Sequence, residues 1–225
     1  MFQHLPPTLR QHLSAVRMLL AFTVVTGIAY PLAVTGIGQL AFPHQADGSL
    51  IKDHGKPVAS SLLGQNFTLP KKNPDDTSEL LRPDPKWFQP RPSAADAGNG
   101  SGPYDPTYSG ASNLGPNNPA FVSTIDERRA TVAAFDGVAP ATVPADALTS
   151  SGSGLDPDIS PAYAYEQVAR VAKARGLRAE RVRALVADHV RGRELGFLGQ
   201  ERVNVIELDH ALSQLPAQSP VRSRE

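Results

Sequence analysis

Met18 to Phe42 reads MLLAFTVVTGIAYPLAVTGIGQLAF, 25 residues with no charge and a single amide, Gln39. At about 1.5 Å per residue a helix of this stretch reaches ~37 Å, beyond the roughly 30 Å hydrocarbon core of a bilayer. A helix buried in a soluble domain keeps a polar face, and this one has none. A secretory signal has a shorter apolar region of about 7–15 residues, closed by a small-x-small cleavage site. Here the best-placed site, near Ala41, runs into Phe42 and Pro43. The stretch predicts an uncleaved transmembrane helix over residues 18–42, preceded by a short tail over residues 1–17.

The flanks bear on orientation. Arg10 and Arg17 precede the span, and no acidic residue occurs before Asp47. Lys52 and Lys56 follow it, mixed with Asp47 and Asp53. A strict Lys/Arg count is a tie. Arg17 abuts the apolar run whereas Lys52 lies ten residues beyond it, which favours a cytoplasmic N-terminus and an extracytoplasmic main domain. Inside the span, Thr23, Gly27, Pro31 and Thr35 recur every fourth residue, and Gln39 continues the row. Residues four apart share a helix face, so this row is narrow and slightly polar beside the apolar row Leu20, Val24, Ile28 and Leu32. Small residues let a second helix approach closely, while Pro31 removes a backbone donor and bends the helix. Gly and Pro are also common in membrane helices generally. The expectation is a helix-packing interface at Thr23, Gly27, Pro31 and Thr35.

Composition narrows the classes. The 225 residues carry 22 basic and 22 acidic side chains, so bulk charge does not suggest a nucleic-acid partner. There is no cysteine, which excludes disulfides and thiolate metal sites and suits an oxidising compartment.

Beyond the span, Asp53-His54-Gly55 separates two short apolar runs and reads as a hairpin turn. Eight prolines fall between Pro70 and Pro106, so the stretch over residues 68–106 reads as loop, pinned by Trp87 and Phe88. Phe121 to Phe135 has helical spacing. Ser160-Pro161 starts a helix that Gly176 ends. A second helix carries Val182, Leu185, Val186 and His189 on one face, with Gly192 as its stop. Arg202 to Leu208 reads as a strand and Asp209 to Leu215 as a short helix. The fold class is α+β: one N-terminal transmembrane helix, then a mixed extracytoplasmic domain with few strands over residues 43–215. Residues 216–225 read as a disordered tail.

Sites of known chemistry do not emerge. Gly55-Lys56 has Leu50 and Pro57 where a phosphate loop needs glycine and Ser or Thr. No Asp-Lys pair can serve as a phosphorylated aspartate. The six histidines, at 4, 12, 44, 54, 189 and 210, lack ligand spacing. Ser153 has no glycine two residues to either side. Pro161 stands where a calcium loop starting at Asp156 requires glycine. The expectation is no catalytic residue, no cofactor site and no metal site in this chain.

The residues do resemble one family: the C subunit of the bacterial Kdp potassium-transporting P-type ATPase. The likeness runs through TGIAYP at 26–31, GSLI at 48–51, GQNF at 64–67, RPS at 91–93 and SGASNLGP at 109–116. It is most specific in TSSGSGLDP at 149–157, ARVA at 169–172, LGFLG at 195–199 and VNV at 203–205. Three positions depart from the family pattern, with Ala111 for a second glycine, Asp158 for histidine and Asp209 for asparagine, and the proline-rich piece between Phe67 and Trp87 looks inserted. The resemblance implies a non-catalytic accessory subunit in the inner membrane. Its partners would be the potassium-translocating and ATP-hydrolysing subunits and the lipid bilayer. ATP and potassium would be used by the assembled complex, whose assembly and ATP affinity this subunit supports. The alternative is a stand-alone, membrane-tethered extracytoplasmic enzyme or solute-binding domain.

Overall fold

Residues 6–73, 75–76, 78–98 and 102–216 are described by the computed structural model of the chain. Nearly all of the tail expected over 216–225 lies outside them. Two units divide the chain, Met1–Leu50 and Ile51–Glu225.

The first unit is one long helix. It begins at α1 (Pro7–Val24), with proline in its first turn where a missing N–H costs nothing. It continues through a widened turn, Val25–Ala29, into α2 (Tyr30–Ala41). The wide turn has a local cause. Pro31 has no N–H to offer the carbonyl of Gly27 one turn back, so the α pattern fails there. The Tyr30 N–H reaches back five residues to the Val25 carbonyl, the signature of a π turn. From Pro7 to Ala41 the helix has 35 residues, none of them in an α-helical part buried by the protein itself. Among the described residues it is the one helix long and apolar enough to cross a membrane. A single turn, α3 (Pro43–Ala46), closes the unit.

The expected hairpin is present as β1 (Leu50–Asp53) and β2 (Lys56–Ser60), joined by His54 and Gly55. Both turn residues have positive φ, 46° and 80°, as a tight two-residue hairpin demands. A long segment without regular ladders follows. It stays loop, as its prolines dictate, yet it also supplies core: Phe88 and Ala95 are 0% exposed.

The first two α-helices of the second unit begin and end where their caps say. Asn118 caps α4 (Pro119–Asp136), and Gly137 stops it in the left-handed conformation. Ser160 accepts the Tyr163 N–H at 3.1 Å to cap α5 (Pro161–Arg175), and Gly176 ends that helix at φ 65°. Two sequence expectations need correction. The next helix, α6 (Ala179–His189), stops three residues before Gly192. Val190 turns extended because it pairs in a sheet, and Val190–Arg191 forms β4. The expected strand over 202–208 is likewise cut to Arg202–Asn204, and α7 (Val205–Ser213) starts at once. Asn204 causes this switch: its side-chain oxygen accepts the N–H groups of Ile206 and Glu207, both at 3.1 Å. Val205, Leu208 and Leu212 then fall on one helix face and are fully buried.

With Asp158–Ile159 as β3 and Arg202–Asn204 as β5, the sheet order is β3-β5-β4, antiparallel throughout. Val203 lies opposite both Ile159 and Val190. The core joins this small sheet to α5, α6 and α7 through Val168, Val171, Val182, Val186, Val203 and Leu208.

Asn204 also donates to the Ser61 carbonyl at 2.8 Å. Asn204→Ala therefore removes a cap and the donor to that carbonyl, an expected loss of about 1–3 kcal/mol. Val205→Asp places an unpaired charge in the core and is expected to prevent folding. Urea titration followed by fluorescence of Trp87, the single tryptophan, measures both. A midpoint unchanged by Asn204→Ala would contradict the capping role.

Candidate functional site

Two surfaces and one internal scaffold are candidates for function. The first surface is the membrane helix. Thr23 and Gly27 lie before and within the π turn, Pro31 and Thr35 after it. In an unbroken α-helix, residues four apart drift by about 40° per step because a turn takes 3.6 residues. A wider turn takes back part of that drift, so the π turn keeps the row nearer to one face. Gly27 is not required by this chain's own packing. A Cβ there would meet only the Thr23 methyl, at 4.0 Å, and at Gly36 nothing within 4 Å. A helical glycine costs about 1 kcal/mol against alanine, so a cost is carried that nothing inside the chain repays. Thr26 holds its hydroxyl against the Phe22 carbonyl at 2.6 Å and so hides its polar group within the helix.

The second surface is a short hairpin tip, Leu195 to Gly199, joined by paired bonds between Glu194 and Leu198 at 3.0 and 2.9 Å. Leu195 is 82% exposed and Phe197 69%. Two large apolar side chains raised on a tied turn make a small hydrophobic projection.

The scaffold centres on Arg170. Its Nε donates to Asp136 Oδ1 at 2.6 Å, and both side chains are nearly inaccessible, at 6% and 1%. Its Nη1 donates to the carbonyls of Pro85 and Trp87 at 2.8 and 2.9 Å, and Nη2 to Gln167 Oε1 at 2.6 Å. Gln167 in turn holds both the N–H and the carbonyl of Gln89. One guanidinium thus ties α4, α5 and the proline-rich segment together. Burial pushes the Asp136 carboxyl upward, against the opposing pull of Arg170. Asp209 is 2% exposed, and its Oδ1 accepts the Phe88 N–H at 3.0 Å. Its Oδ2 has no partner among the described residues, and burial raises this carboxyl well above its ordinary range. Burial also raises Glu166 to about 7, helped by the charges of Asp136 and Asp146.

The stretches that carried the family resemblance meet in this unit. The carbonyl of Ser153 accepts from the Gly110 N–H at 2.9 Å and the Ser109 hydroxyl at 3.1 Å. Ser93 donates to the Gly154 carbonyl at 2.6 Å and accepts the N–H groups of Ala95 and Tyr104. Gly154 has φ 71°, and a Cβ there would lie 2.6 Å from the Gly110 carbonyl and 2.7 Å from Ala95, so only glycine fits. The Gly64 N–H donates to the Leu155 carbonyl at 2.8 Å. Motifs more than forty residues apart in sequence therefore form one knot. Asp156 accepts the Asp158 N–H at 2.9 Å, shortly before α5, and pairs with Arg91 at 3.2 Å.

Residues 12–214 match the family described as KdpC, the c chain of the K+-transporting ATPase. The chain belongs to the KdpC family. It is 52% identical over 204 residues to the potassium-transporting ATPase KdpC subunit of Kineococcus radiotolerans, covering 91% of this chain and 93% of that one. The corresponding subunit of Streptomyces coelicolor is 49% identical over 215 residues, covering 91% and 92%. That of Gemmatimonas aurantiaca is 47% identical over 224 residues, covering 99% of each. As a KdpC-family chain it is an accessory subunit of a potassium pump, associated with the membrane and partnered with other subunits of that complex.

Sequence reading singled out Thr23, Gly27, Pro31 and Thr35 but overlooked Arg170 and the Leu195–Phe197 tip as surfaces or struts. Arg170 had a signal: it stands among Val168, Val171 and Ala172 on the buried side of α5. Its partner, 34 residues away, had none. Of the family departures, Asp158 pairs with Arg202 at 3.3 Å.

Glu166 yields a pH prediction. The folded chain keeps its proton up to about pH 7, whereas the unfolded chain releases it near 4.5. Between those values the folded state binds more protons, so stability falls as pH rises. Thermal midpoints of the detergent-solubilised chain between pH 4.5 and 7.5 should decline more steeply for the wild type than for Glu166→Gln. Parallel curves would show that Glu166 titrates normally.

Proposed function

We propose that this chain is the non-catalytic subunit that holds a high-affinity potassium pump together. Ion passage and phosphorylation belong to separate potassium-translocating and ATP-hydrolysing subunits. The N-terminus lies in the cytoplasm and the main domain outside it. The membrane helix meets a pump subunit along Thr23, Gly27, Pro31 and Thr35, and the Leu195–Phe197 tip meets one beyond the bilayer. ATP and potassium are ligands of the complex, and this chain raises its ATP affinity from a distance, by favouring one assembled arrangement.

The observation that carries this reading is that both surfaces are apolar or small-faced and neither is covered among the described residues. A Cβ at Gly27 would touch only the Thr23 methyl, at 4.0 Å, and Leu195 and Phe197 are largely exposed. Close approach of a second helix is the use that small residues serve in lipid.

Assembly tests the reading. Gly27→Leu should lower recovery of intact complex in a detergent pull-down severalfold, because the leucine holds the partner helix off. Phe197→Asp should do the same while leaving the unfolding free energy of the isolated chain, from urea titration, within about 0.5 kcal/mol of wild type, as suits an exposed position. Full recovery with both variants, or isolation of the wild-type chain alone, would favour a stand-alone tethered protein instead.

Topology is tested separately. The chain has no cysteine, so Lys72→Cys, at an exposed loop position, introduces a single thiol. A membrane-impermeant maleimide should label it in intact spheroplasts. Labelling only after lysis would reverse the orientation and bring ATP within reach of the domain.

A further inference from the structure

A cavity of about 460 Å³ opens between α4 and the proline-rich segment, a size typical of small-molecule sites. Two arginines line it, brought there from separate parts of the chain. Arg128 Nη1 donates to the Leu148 carbonyl at 2.9 Å, and Arg91 Nε to the Thr149 carbonyl at 3.3 Å. The two acceptors belong to consecutive residues, so one loop sets both guanidiniums at the same cavity. Arg91 is compensated by Asp156 at 3.2 Å. Arg128 has no carboxylate within ion-pair distance among the described residues, and the Leu148 carbonyl is its one hydrogen-bond acceptor there. It is half-buried, and loss of water holds its basicity below the usual range. A partly dry guanidinium with most of its fork unused is costly unless an anion answers it.

The rest of the lining narrows the anion. Glu127 is at the cavity but exposed, and its carboxylate accepts the Ser123 hydroxyl one turn back rather than pairing with Arg128. That nearby negative charge disfavours a doubly charged ligand. Val132, Phe135 and Tyr163 contribute apolar surface. Tyr163 is 3% exposed. A planar, singly charged oxyanion fits a guanidinium edge through two parallel bonds, and a hydrocarbon body would cover the apolar floor that a bare phosphate leaves wet. We propose that this cavity binds a small organic carboxylate, gripped by the free edge of Arg128 beside Arg91 and seated on Val132 and Tyr163.

Benzoate serves as the probe, with benzamide as its neutral counterpart and inorganic phosphate as the anion without an apolar body. Titration calorimetry on the full chain in detergent should give saturable benzoate binding at about millimolar Kd or tighter. Benzamide and phosphate should bind at least about tenfold more weakly. Arg128→Gln should weaken benzoate binding about tenfold or more, whereas Arg129→Gln, at the next position, where the guanidinium pairs with Asp126 and does not line the cavity, should not. If Arg128→Gln unfolds, Arg128→Lys keeps the charge but loses the fork and should also bind weakly. Saturable protection of the wild type against heating by benzoate, absent with benzamide, provides a readout needing no variant. The proposal is overturned if no saturable benzoate binding occurs up to about 10 mM, or if benzamide or phosphate binds equally well. A folded Arg128→Gln chain that binds as the wild type does overturns it too. Loss of complex assembly in Arg128→Gln without any benzoate binding would assign the arginine to an acidic side chain of a partner subunit instead.

Discussion

Much of the second unit depends on the ion pair between Arg170 and Asp136. Two charges taken out of water cost several kcal/mol each, and their attraction offsets this only when the remaining donors are satisfied. Here most of them are: the same guanidinium meets a carboxylate, two carbonyls and an amide oxygen. The arrangement lets helices α4 and α5 hold a segment that has no ladder of its own. Proline deprives that segment of N–H groups and of strand geometry, so its carbonyls need donors from elsewhere. Arg170, Gln167 and Arg175 supply them, Arg175 through the Lys86 carbonyl at 2.7 Å while lying over the Trp87 ring. Phe88 then sits in the core as the apolar end of the same fastening.

The parts that were legible in the sequence are those set by local chemistry. The membrane helix announced itself by length and lack of charge. The hairpin at Asp53–Gly55 and the helix limits at Ser160 and Gly176 followed from turn and cap residues. The boundary at Asn204 was missed because Val203, Val205 and Glu207 alternate like a strand while Val205, Leu208 and Leu212 repeat like a helix. The deciding clue was a capping Asn204 followed three residues later by Glu207. Gly192 misled for a different reason: α6 ends by sheet pairing, a long-range event that no cap residue marks.

Of the candidate surfaces, the Thr23–Thr35 row is suggested by spacing, because membrane helices have a fixed period. Its π turn could be read only in part, since Pro31 forecast a break but not its form. The cavity between Arg91 and Arg128 was beyond sequence reasoning altogether, because its geometry depends on the carbonyls of Leu148 and Thr149. The knot around Ser153 explains why such small residues carry the family likeness. Serines there hold the loops together by hydrogen bonds, and Gly154 lets them approach where a Cβ would lie 2.6 Å from the Gly110 carbonyl.

The fastening of Phe88 by Asp209 spans 121 residues. On a ribosome adding about 5–20 residues per second, Asp209 emerges roughly 6–24 s after Phe88. For roughly the first two-thirds of that interval, until Arg170 follows Trp87 by 83 residues, the membrane helix is already made and the proline-rich segment lacks its guanidinium. The scarcity of hydrogen-bonding ladders in that segment then becomes protective. A waiting chain rich in proline and poor in strand geometry offers neighbours little edge to pair with, so the domain can remain open until its C-terminal helices arrive.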